Sequence, residues 1–169
     1  MPADSVLRAR ELLRQNAADL PSAEVLSSST AAADHDAYHT GLLEAAFLVA
    51  AADGQLSKEE VGSLVDVVSQ IGEGATPSEL AGMVYDFSVS LEKEGRTARA
   101  QAIAEHVSDP RARKEIVGFA ALVALCDGEL APSELFVLHT MGKAFGLDAG
   151  TVGGIVRGVA EKLGVTLAQ

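Results

Sequence analysis

Tryptophan is absent from this sequence, and aromatic residues fill only 4% of its 169 positions. Strands favour aromatic and β-branched residues. The 48% apolar share is carried largely by Ala, Leu and Val, which points instead to close-packed helices in a chain long enough to bury a sizeable core. Cysteine occurs once, at Cys126, so no intramolecular disulfide can form. At the end of an apolar run, that thiol reads as a small buried apolar residue rather than a nucleophile. The longest wholly apolar run, IVGFAALVALC over 116–126, is too short to span a bilayer. The opening MPADSVLRARELL is charged and holds no leader-like apolar segment. A cytoplasmic protein with no direct membrane insertion is expected.

Basic residues are scarce over half the chain. Between residues 15 and 92 there are thirteen acids and one base, Lys58, which accounts for almost all of the net charge of −11. Such a field repels phosphate backbones and so argues against nucleic acid and against anionic lipid. It attracts divalent cations or a basic protein surface, and it also serves solubility.

Helical grammar runs along the chain. Residues 4–19 read as a modest helix capped by Asp4 or Ser5, and 20–33 as a Ser/Ala-rich linker. From Asp34, apolar residues at 43, 46, 47 and 50 have helical spacing. Ser57-Lys58-Glu59-Glu60 is a capping-box pattern opening a helix to about Gln70, and Thr76-Pro77 opens another to about Lys93. Further helices are expected over 97–107, from about 111 to Cys126, from Pro132, and over 148–163. The predicted fold is all-α, with seven to eight helices in two pseudo-symmetric repeats of about 34–95 and 96–169, preceded by the segment 1–33. Aligned without gaps, 42–72 and 116–146 share ten identities in thirty-one positions.

The most informative shared stretch is AADGQLSKEE at 51–60, which returns as LCDGELAPSE at 125–134. It matches the back half of a calcium-binding EF-hand loop, with Asp53, Gly54, Leu56 and Glu60 at loop positions five, six, eight and twelve. Val49 and Ala51 stand where the first two acidic ligands belong. Asp53 closes one helix, and Glu60 stands at the third position of the next. Two carboxylates about 4 Å apart repel by roughly 4 kcal/mol at an effective dielectric near 20, and a cation, a shared proton or helix N-terminal amides can relieve this. The candidate metal ligands are therefore Asp53, Glu60, Asp127 and Glu134, with Ca²⁺ the foremost cation and Glu129 an additional oxygen. The same four residues equally suit helix capping. Spacing leaves open whether the two copies share one site.

The stretch DHDAYH places His35, Asp36 and His39 on one helical face, a spacing that suits a transition metal or simply a solvated helix start. Nowhere is there a Gly-rich phosphate loop, a nucleophile elbow or an HExxH motif, so no catalytic residue is assigned.

LVAAADGQLSKEE and LVALCDGELAPSE resemble the tellurite-resistance TerB-like family over about residues 34–163. The resemblance rests on Asp53, Gly54, Leu56 and Glu60 with Asp127, Gly128, Leu130 and Glu134. The second copy departs from the first at Leu125 and Cys126, which replace Ala51 and Ala52, and at Pro132. The resemblance implies a bacterial, non-enzymatic helical module of two repeats in tellurite, metal or general stress response, with the acidic turns as a metal site and with protein partners that are basic or membrane-associated. Two other readings stand beside it. One is an interaction scaffold whose acids only cap helices, and the other, less supported, is a metal-dependent enzyme.

Overall fold

The computed structural model describes residues 32–54, 56–69 and 75–167. The expected helix over 4–19 and most of the linker lie outside them. Seven helices and no strand occur among the described residues: α1 (Ala32–Ala50), α2 (Lys58–Ser69), α3 (Pro77–Glu94), α4 (Arg96–His106), α5 (Pro110–Leu125), α6 (Pro132–Ala144) and α7 (Ala149–Leu163). The fold is all-helical, as the composition predicts. No described helix is long and apolar enough to cross a membrane.

Over 45–50 helix α1 is apolar on every side, and such a stretch must be enclosed. Every residue from Gly41 to Val49 is buried. It packs most extensively on α5, which is buried almost throughout from Ile116 to Cys126, and it also touches α2, α3, α4 and α6. Helix α7 lies against α5 and α6, while α4 bridges α1, α3 and α6. A fully buried Leu or Ile contributes about 1.5–3 kcal/mol. Leu43, Leu48, Leu64, Ile116, Leu125, Leu138 and Met141 thus form the energetic centre. Where α6 meets α7 the backbones come close: a Cβ on Gly142 would stand within van der Waals overlap of the Val152 side chain.

Helix starts follow the capping residues. Thr76 Oγ1 accepts the Glu79 N–H at 3.3 Å while Glu79 accepts the Thr76 N–H at 2.7 Å, with Pro77 at the first helical position. Asp109 and Asp148 accept the N–H groups of Arg111 and Thr151. The helical spacing read from Asp34 onward begins earlier in the structure, since Ala32 and Ala33 are already helical and Asp34 lies inside α1. The buried stripe of α2 is Leu64, Val65, Val67 and Val68.

Charged side chains also tie the helices together. Glu44 is only 4% exposed, and its Oε1 accepts from Arg99 Nε at 2.7 Å. Arg99 also reaches Glu94 at 2.9 Å. Arg113 donates to the carbonyls of Ala104, Val107 and Phe145, closing the ends of α4 and α6.

Candidate functional site

The two duplicated turns share one construction. At the end of α1 the Gly54 N–H bonds to Ala51 O at 3.2 Å, and at the end of α5 the Gly128 N–H bonds to Leu125 O at 3.0 Å. Gly128 has φ 90°, a conformation that a side chain resists. Leu56 and Leu130 then turn back and pack on the core. The following helix opens with a carboxylate on a backbone amide. Glu60 accepts the Ser57 N–H at 2.7 Å, and Glu134 accepts the Ala131 N–H at 2.8 Å.

The copies then diverge. Ser57 Oγ completes the capping box by accepting the Glu60 N–H at 3.3 Å, whereas Ala131 has no oxygen to offer. Asp127 accepts the Glu129 N–H at 3.1 Å within its own turn. The first turn is held from outside as well: Arg96 Nη2 donates to the Ala51 and Ala52 carbonyls at 2.7 and 2.8 Å. Arg96 Nε is buried with no partner among the described residues.

Although 74 positions apart, the turns face one cavity of about 420 Å³, which Asp53, Glu60, Asp127, Glu129 and Glu134 all line. All four expected site residues border the same space. Its electrostatics centre on Glu134. Burial, then the charges of Asp127 and Asp53, push that carboxyl up from 4.5 to about 7, against the pull of the Ala131 amide. Near neutrality Glu134 therefore holds a proton part of the time. Cys126 adjoins the cavity residue Asp127 but is only 1% exposed, and burial followed by the charges of Asp127 and Glu134 pushes its thiol up to about 12. A thiol held protonated in this way is a poor nucleophile.

The oxygen donors suit a hard cation such as Ca²⁺ rather than a thiolate- or imidazole-seeking metal. As they stand, no three His, Cys, Asp or Glu side chains converge as a metal group among the described residues. Glu60 and Glu134 are occupied in capping, while Asp53, Asp127 and Glu129 are exposed. In the DHDAYH stretch, Asp36 is exposed and the His39 ring sits edge-on to Tyr38 at 5.6 Å. The His35 side chain lies outside the described residues. Sequence reasoning missed Arg96 and Glu44. The only signal for Arg96 was its place in the first basic run after the long acidic stretch, and Glu44 looked like one more acid on a helix.

Compared with known proteins, the chain matches no family model, no curated protein and no solved structure.

Proposed function

We propose that the chain is a non-enzymatic, TerB-like helical module whose two acidic turns form one composite divalent-cation cavity. It acts through protein partners in a bacterial stress or metal response, in the cytoplasm. One observation carries this reading: both copies of Asp-Gly-x-Leu-x-x-x-Glu border the same cavity, and its most buried carboxyl is already strained toward holding a proton. A cation there would relieve the same repulsion that the proton relieves. Asp53, Asp127 and Glu129 are exposed and would swing in, and the second oxygens of Glu60 and Glu134 would complete an all-oxygen set. The related turns also support a pseudo-twofold relation between the repeats of about 34–95 and 96–169.

The second reading, an interaction scaffold, is favoured by the capping bonds. Glu60 and Glu134 each already have an amide to bind, so neither needs a metal for its structural role. Calorimetric titration of chelator-treated protein with Ca²⁺, Mg²⁺, Mn²⁺ and Zn²⁺ separates the two. On the cation reading, binding is seen in the parent and is lost in the Asp53→Asn, Asp127→Asn double variant. Absence of binding in the parent removes the cation reading and leaves the scaffold.

A further inference from the structure

A second cavity, of about 350 Å³, opens between α1, α2 and α3. Of its apolar lining, Phe47 and Val84 are buried, Leu56, Val61 and Leu91 are half-buried, and Tyr85 is 70% exposed. The Phe47 ring is itself held by Phe87, with 6.0 Å between the ring centroids. Small-molecule sites are concave and mostly apolar, carry few polar groups and enclose about 300–1,000 Å³.

We infer that this cavity binds a small, uncharged aromatic molecule. The inference stands apart from the cation reading, because the two cavities have opposite chemistry: five carboxylates line one, and apolar side chains line most of the other.

Size, charge and shape select that ligand. A helix about 10 Å across that rises 1.5 Å per residue fills roughly 120 Å³ per residue. The recess thus matches only about three residues of helix, and it suits one small molecule better than a docked segment. The charged side chains among its described lining are Lys58 and Glu92, one of each sign and both exposed. A net charge on a ligand would meet one like charge and would have to shed water against apolar walls, which is costly. An uncharged ligand avoids both. The buried ring of Phe47 and the exposed ring of Tyr85 give an aromatic ligand partners for offset or edge-on pairing. Ser88, half-buried in the same lining, offers a hydroxyl to one polar group on the ligand.

The test uses the full chain and two fluorescent probes built on the same rings. Phenylnaphthylamine is uncharged, and anilinonaphthalene sulfonate adds one negative charge. The uncharged probe is expected to brighten and to saturate at one per chain, with a Kd on the order of 10 µM. The amides of Ala81, Tyr85 and Ser88, all in the lining, should shift in NMR spectra while that of Val156 on α7 stays in place. Ala81→Trp fills the cavity from an exposed position, and Tyr85→Ala removes the outer ring. Each should weaken binding by about tenfold, with helical circular dichroism unchanged. The sulfonate should bind more weakly than its uncharged counterpart. Absence of saturable brightening overturns the proposal, as does brightening that both variants leave unchanged. Tighter binding of the sulfonate also overturns it, since that outcome assigns the cavity to an anionic ligand held by Lys58.

Discussion

Raising the pH through neutrality should weaken the metal-free fold, and Glu134 is the reason. In the folded chain its carboxyl holds a proton up to about 7, against an ordinary value of 4.5. Between those values the folded state binds more protons than the unfolded one, so stability falls as pH rises. The contribution is fully present below the unfolded value and is gone above the folded one. At face value the displacement corresponds to about 3 kcal/mol. The carboxyl is only half-buried, however, and solvent screening reduces the expected loss to about 1–2 kcal/mol. For a urea dependence of about 2 kcal/mol per molar, the unfolding midpoint should drop by about 0.5–1 M between pH 5 and pH 8. Glu134→Gln keeps an oxygen for the Ala131 amide but cannot ionise. It should therefore flatten this part of the profile and exceed the parent in stability at the alkaline end. Comparing the two chains cancels every other titrating group to first order. Parallel profiles, or a parent that gains stability relative to the variant as pH rises, would refute the role given to burial and to Asp127 and Asp53.

Other outcomes follow from named contacts. Arg99→Ala strands the buried carboxylate of Glu44 and should cost about 3–5 kcal/mol in chemical denaturation, with much of that recovered by Glu44→Leu in the same chain. Gly142→Ala drives a methyl into the Val152 side chain and should lower stability by about 1–3 kcal/mol, while Gly142→Ala with Val152→Ala recovers part of the loss. Ala131→Ser supplies the cap oxygen that Ser57 provides in the first copy, and a gain of about 0.5–1 kcal/mol is expected in thermal melts.

Helix positions were largely legible because their signals are local. Thr76-Pro77 with Glu79, Asp109-Pro110 and Pro132 with Glu134 all mark starts within a residue or two of those seen. Asp34, where the sequence places the start of the apolar spacing, lies inside α1, because Ala32 and Ala33 before it are already helical and carry no capping signal. The acid pattern named the residues that line the cavity but not their meeting, which depends on α1 packing against α5 and α6. Glu44 and Arg99 are 55 positions apart and sit on helices with no repeat relation, so no spacing rule could pair them. The same holds for Arg96, whose partners are main-chain carbonyls without any side-chain signature.

Arg113 closes two helices with one side chain, and this has a consequence for how the molecule opens. Its guanidinium spans Ala104 and Val107, where α4 ends, and Phe145, just past the end of α6. Neither helix end can fray without breaking a bond to the one guanidinium that also holds the other end. Ordinary helix termini exchange their amide hydrogens early and independently. Here the last turns of α4 and α6, some forty residues apart in the chain, should exchange as a single unit with a common opening free energy. One arginine thus converts two local frays into one concerted event.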